Sequence, residues 1–75
     1  MGVHVITFES TSHALRAEKI LKKAQLKVLA IPTPRHLSSN CGIAFKFPEE
    51  IKEAVRTALS EAACPFEGIY PLEKN

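Results

Sequence analysis

The sequence predicts an α+β fold: a four-stranded antiparallel sheet with two helices on one face, in the order βαββαβ. Three observations predict it. Short β-branched and aromatic runs alternate with two stretches whose apolar residues recur at helical spacing. In the second of these, Ile51, Ala54, Val55, Ala58, Leu59 and Ala62 follow the i, i+3, i+4 pattern without a miss. The two halves are loosely alike, each being strand, helix, strand, and right-handed crossovers turn that order into the ferredoxin-like split βαβ arrangement.

Each element follows from its residues. Residues 3–8 (Val-His-Val-Ile-Thr-Phe) are β-branched and aromatic and read as the first strand. Ser10, Thr11 and Ser12 follow, any of which can cap a helix. The first helix is expected over residues 11–24, with Ala14, Ala17, Leu21 and Ala24 as its apolar stripe, widened by Ile20. Arg16, Lys19, Lys22 and Lys23 lie mostly off that stripe, and cations in the last turn suit the helix dipole. Residues 27–31 form the second strand and residues 42–47 the third. In the third, Ile43, Phe45 and Phe47 face one way, Ala44 and Lys46 the other. Pro48 stands where a helix can start, with Glu49 and Glu50 in its first turn, and this second helix is expected to end near Ala63, before Pro65. Residues 66–70 form the last strand, Pro71 marks its end or an edge position, and residues 73–75 are a polar tail.

Composition narrows the function. With 75 residues the chain is a single domain, 1–75, with no linker and no low-complexity segment. A chain of this size buries only about 60% of its unfolded surface, so it also admits a homodimer or an obligate partner. Two cysteines make no disulfide framework, and no Cys-x-x-Cys is present to hold zinc. The 45% apolar content fits a soluble globule. A net charge of +2 argues little for nucleic acid, which needs a clustered basic face, and no apolar run approaches the ~18 residues of a membrane helix. The opening residues lack a basic n-region and a long apolar core, and Ile6 stands where a myristoylation signal has Ser or Thr. The expectation is a reduced, cytoplasmic protein without a cofactor, a nucleic-acid partner or a membrane.

The chemistry concentrates in residues 32–42, Pro-Thr-Pro-Arg-His-Leu-Ser-Ser-Asn-Cys-Gly, between two apolar runs. Pro32 and Pro34 exclude a regular ladder there, and the loop exceeds the ~2–5 residues that a hairpin needs. In the expected topology this loop, the first turn of the first helix and the start of the last strand share one end of the molecule. Cys41 and Cys64 then lie at that end, on strands about 10 Å apart at ~4.8 Å per strand spacing, too far for a disulfide without movement.

A thiol is a nucleophile only as thiolate, and positive surroundings favour that form. Around Cys41 the sequence offers Arg35 and His36 in its own loop, Lys46 on the next strand, His13, and the helix N-terminus with the hydroxyls of Ser10, Thr11 and Ser12. Ser38 and Ser39 add hydroxyls within the loop, and Gly42 leaves room beside the sulfur. Such a site suits a persulfide or a small anion. The other reading is structural, since free cysteine often packs as a small hydrophobe. Cys64 ends an apolar helix and reads as a packing residue. His4 alternates within a strand and reads as structural or exposed. His36 with Cys41 matches no strong metal signature. An enzyme finds little support: there are no paired carboxylates in a defined cleft and no glycine-rich phosphate loop. A Cys–His pair from Cys41 with His13 or His36 is the one nucleophile arrangement on offer. Phe45 and Phe47 share a face, but there is no Gly-Phe-Gly-Phe-type run for RNA stacking.

Residues 8–19 (Phe-Glu-Ser-Thr-Ser-His-Ala-Leu-Arg-Ala-Glu-Lys), then Ile31-Pro32-Thr33-Pro34-Arg35 and Ser38-Ser39-Asn40-Cys41-Gly42-Ile43-Ala44, resemble the selenium/sulfur carrier-like family of small bacterial and archaeal proteins. The resemblance spans nearly the whole chain. Its most specific part is Pro-x-Pro-Arg, Ser-Ser and Cys-Gly with a strand on either side. It implies a carrier of selenium or sulfur with Cys41 as the carrier thiol, exchanging with donor and acceptor proteins and lacking turnover of its own. The alternative is a binding or interaction module in which Cys41 is passive. His36 stands where an acidic residue is expected for the family, which makes the local field more positive. Cys64-Pro65 also matches the start of the Cys-Pro-x-Pro of small sulfur-relay carriers. Glu67 replaces the second proline, however, and the pair follows a helix, so that motif is not transferred.

Overall fold

The computed structural model describes residues 2–37 and 40–72. The polar tail expected at residues 73–75 lies outside them. Strand β1 (Val3–Thr7) leads into helix α1 (Thr11–Lys23), strands β2 (Leu29–Pro32) and β3 (Ile43–Pro48), a 3-10 turn (Glu49–Ile51), helix α2 (Lys52–Glu61) and strand β4 (Gly68–Pro71). The strands form one antiparallel sheet in the order β2-β3-β1-β4, as the ferredoxin-like βαββαβ arrangement requires.

The register explains which side of the sheet carries the helices. Ile6 stands opposite Phe45 on one side and Ile69 on the other, and His4 opposite Phe47. Alternation puts these residues on one face. There Ile6, Phe45 and Phe47 join Ala14, Ala17 and Leu21 of α1 and Val55 and Leu59 of α2 in a single core. Phe8, just past β1, meets Phe45 edge to face with ring centroids 5.9 Å apart. This contact fixes the short link from β1 into α1, and so the N-terminal turn of α1.

On the opposite face Val5, Thr7 and Ala44 are also fully buried. Strands β1 and β3 lie inside the sheet, so their small residues are screened by neighbours. Tyr70 supplies part of that screen: it folds back along β4, and a Cβ added at Gly68 would fall 2.5 Å from the Tyr70 hydroxyl. Gly68 is the partner of Thr7, whose Oγ1 is buried without a hydrogen-bond partner among the described residues.

Several boundaries differ from those expected. β2 starts at Leu29 and includes Pro32, which pairs with Ile43, so the loop begins later than the prolines suggest. β4 runs Gly68–Pro71, leaving Phe66 outside it. Both are edge strands, where a proline can turn its missing N–H outward at no cost to the ladder. Pro48 closes β3 and precedes the 3-10 turn, so α2 opens only at Lys52. Ala24 and Ala54, expected on the buried stripes, are exposed. Ala24 is the C-cap of α1, and Ala54 lies 100° around α2 from Val55, at the stripe's margin.

Both helices end in the same way without glycine. Gln25 (φ 62°) and Ala63 (φ 53°) adopt the left-handed conformation just past the C-caps. The N–H of Leu26 bonds to the carbonyl of Leu21, and that of Gln25 to Lys22. The pairs Cys64–Leu59 and Ala63–Ser60 repeat the pattern, so each end is a Schellman motif with its apolar pair.

Candidate functional site

Ser10 is the N-cap of α1. Its backbone is extended (φ −150°, ψ 159°), and its Oγ accepts the N–H of His13 at 3.3 Å. The same oxygen lies 2.9 Å from His13 Nδ1, so the imidazole is turned back onto the cap. Three adjacent hydroxyls made the cap ambiguous in the sequence; the structure assigns it to Ser10. Thr11 becomes the first helical residue, and Thr11 and Ser12 are exposed. The first turn of α1 contains no acidic side chain, so its partial positive charge is not offset from within the helix.

Cys41 sits just ahead of β3, with 4% of its surface exposed. Its sulfur lies 3.9 Å from Thr11 Oγ1, which joins the loop to the N-terminal turn of α1 as the topology requires. The thiol donates to the Ile43 carbonyl at 3.2 Å, and the Ile43 N–H reaches the sulfur at 3.4 Å. Beside it, Gly42 is exposed, and a Cβ there would meet nothing within 4 Å.

The loop around Cys41 is closed at its base by the Thr33 N–H on the Gly42 carbonyl (3.2 Å), and turned by the Leu37 N–H on the Pro34 carbonyl (3.0 Å). Arg35 and His36 are exposed on that turn. Among the described residues neither forms a hydrogen bond or ion pair with Cys41, nor does Lys46. Ser38 and Ser39 lie outside the described residues. The Cys–His pairing is not formed: His13 bonds to Ser10, and His36 stands on the exposed turn. No group of three or more potential metal ligands is gathered among the described residues.

Cys64 lies at the same end, 3% exposed, its thiol donating to the His13 carbonyl at 3.8 Å. Burial pushes the pKa of this thiol up, and the nearby Arg16 guanidinium offsets part of the rise. Arg16 also donates to the Ala62 carbonyl at 3.0 Å, so a cation read from the sequence only as lying off the apolar stripe fastens α1 to the end of α2. Glu67 is the second residue that the sequence reading missed. It accepts from Asn40 Nδ2 at 3.2 Å, while its own N–H bonds to the Thr7 carbonyl at 2.7 Å. A carboxylate therefore enters a region where the sequence suggested only cations. The adjacency of the β3 and β4 starts, on either side of β1, was the available signal. Both cysteines are free.

Residues 3–71 match the family model described as "Putative Se/S carrier protein-like". The chain belongs to this family. The match contains every element from β1 to β4, with Cys41, Cys64 and the loop between β2 and β3. Family membership supports selenium or sulfur carriage at the coarse level and leaves open which atom of the chain carries the load. No curated protein and no solved structure gives a significant match. Among the described residues no helix is long and apolar enough to cross a membrane.

Proposed function

We propose that the chain carries sulfur or selenium as a persulfide or perselenide on Cys41. The observation that supports this reading is the contrast between the two thiols. The Cys41 sulfur accepts the Ile43 N–H at 3.4 Å and lies 3.9 Å from the Thr11 hydroxyl, which can turn to donate once the thiol ionises, at a helix N-terminus with no acid in its first turn. Those are the groups that stabilise an anionic sulfur. Both thiols donate to a carbonyl, Cys41 to Ile43 and Cys64 to His13, but among the described residues only the Cys41 sulfur also accepts an N–H, and burial raises the pKa of Cys64.

In the loading step the Cys41 thiolate attacks the terminal sulfur of a donor's cysteine persulfide. A new S–S bond forms at Cys41, the donor's S–S bond breaks, and the donor cysteine leaves as thiolate. The proton from Cys41 goes to solvent, and no external oxidant is consumed. Because Cys41 is nearly covered, loading requires local opening around the Gly42 side, where there is free space. Two free cysteines suit a reducing compartment, the cytoplasm in this reading.

The test is the intact mass of the protein after incubation with a cysteine desulfurase and cysteine, alongside Cys41→Ser and Cys64→Ser. The expected result is a reductant-labile gain of one sulfur that disappears only in Cys41→Ser. The absence of any adduct, with Cys41 alkylated no faster than Cys64, would overturn the proposal. The burial of Cys41 favours a second reading, an interaction module in which that thiol only packs. That reading predicts unchanged partner binding in Cys41→Ser.

A further inference from the structure

Charge is distributed unevenly over the fold. Residues 10–47, which build α1, β2 and β3, hold seven lysines and arginines and one acid, Glu18. Residues 48–72, which build α2 and β4, hold two cations and five glutamates. The strand order β2-β3-β1-β4 separates these halves in space, because β2 and β4 are opposite edges. A net charge of +2 therefore conceals a basic side and an acidic side.

The exposed apolar residues fall on the basic side. Among the described residues the exposed large hydrophobics are Leu15 of α1 (49%) and Leu29 of β2 (57%). At 100° per residue, Thr11, Leu15, Glu18 and Lys22 share one flank of α1, with Lys19 beside them. The opposite flank is occupied: Arg16 bonds to Ala62, and Ile20 and Ala24 line the groove towards α2. The Leu15 flank thus looks away from α2, on the side of Thr11, whose hydroxyl lies 3.9 Å from the Cys41 sulfur. Descending from the thiol there is an exposed leucine one turn below Thr11, then two exposed lysines. Lys22 is shared with Glu18 at 3.7 Å, an exposed pair that contributes little; Lys19 has no ion-pair partner among the described residues.

We infer that this flank docks an acidic protein surface with an apolar recess for Leu15, and that the docked protein exchanges sulfur with Cys41. The second clause rests on the carrier reading above. Complementary charge brings such a partner in and orients it, and an exposed leucine beside Lys19 supplies the short-range contact. Nucleic acid fits less well, because the aromatic rings of this half, Phe45 and Phe47, are buried and cannot stack on bases.

The test uses two short peptides, one glutamate-rich and one lysine-rich. Each carries a leucine and a cysteine activated as a mixed disulfide with thionitrobenzoate, and the protein is Cys64→Ser. The Cys41 thiolate attacks the peptide sulfur, forming the Cys41–peptide disulfide and releasing thionitrobenzoate, which is read by absorbance. The glutamate peptide is expected to react about tenfold faster at low salt. That advantage should vanish in molar salt, in Lys19→Glu/Lys22→Glu and, in part, in Leu15→Ser. Equal rates for the two peptides, or an advantage that survives the charge reversal, overturn the docking surface. Binding of the same glutamate peptide with serine in place of cysteine, followed by fluorescence anisotropy, separates the two proposals. If it binds and depends on Lys19 and Lys22 while Cys41 stays inert to both peptides, docking stands and the carrier reading fails. Displacement by a single-stranded oligonucleotide of equal charge at lower concentration would point to nucleic acid and overturn the inference. A dimer in sedimentation that the charge reversal dissociates would assign the flank to a second copy and also overturn it.

Discussion

Replacing Ala63 and Gln25 by glycine should raise the stability of the domain, although neither change adds a contact. Both residues hold positive φ, 53° and 62°, at the positions that follow the C-caps of α2 and α1. For an L-residue the left-handed region costs about 1–2 kcal/mol, from the approach of Cβ to the following carbonyl oxygen. Glycine removes that cost but returns about 0.4–1 kcal/mol through the greater freedom of the unfolded chain. The net gain is about 0.5–1 kcal/mol at each position. Both side chains are exposed, so little packing is lost. The Schellman hydrogen bonds from Leu26 and Cys64 to Leu21 and Leu59 are backbone bonds and persist. The two ends belong to different helices and share no partner, so the gains should add. Urea unfolding is the assay: the midpoint rises in each single variant and further in the double, with an unchanged m-value. Heating should show a shift of about 4–8 °C per kcal/mol for a domain of this size. A midpoint that falls in either single variant would show that its terminal residue is not left-handed, and the description of that helix end would be wrong.

Two further predictions follow from the sheet and the second thiol. Gly68→Ala should destabilise the domain by about 1–3 kcal/mol, because the new methyl displaces the Tyr70 ring from its place over β4; pairing it with Tyr70→Ala should recover part of the loss in the same urea assay. Burial raises the Cys64 pKa above its ordinary 9.0, so the folded state holds that proton more tightly than the unfolded state does. The associated stability is fully present below about pH 9 and is lost as pH climbs through the higher folded value. Urea midpoints measured from neutral to alkaline pH should fall, and Cys64→Ala should flatten the decline. A Cys64→Ala slope equal to that of the parent chain would remove Cys64 from the account.

The sequence made the order of elements legible because each helix buries one face and the inner strand β3 carries its phenylalanines on one face. Ala14, Ala17 and Leu21, Val55 and Leu59, and Phe45 and Phe47 all mark their faces by periodicity, and all are in the core. Neither outer strand buries a residue fully, so no alternation fixed their ends, and β2 and β4 were each displaced along the chain. The helix ends were readable only from the stop at Pro65, since no glycine announces either left-handed turn. The meeting of Cys41 with the start of α1 followed from topology alone. The meeting of Arg16 with Ala62 did not, and the adjacency of the β3 and β4 starts brought Glu67 near Asn40 without fixing their contact, because each depends on how long side chains cross between elements. The choice of Ser10 as cap among three hydroxyls turned on its extended backbone and the reach of its Oγ to the His13 N–H, which no local pattern encodes.

The two edge prolines have a consequence for how this domain meets other chains. Pro32 ends β2 and Pro71 ends β4, so each free border of the sheet closes on a residue with no N–H to offer. A strand added along either border would lose a rung there, and β2 and β4 are already too short to spare one. Growth of the sheet by strand addition is thereby discouraged at both sides, a safeguard against edge-to-edge aggregation in so small a protein. With backbone pairing discouraged at both borders, the exposed side chains are the surface this domain presents, and that surface is open to adjustment one residue at a time.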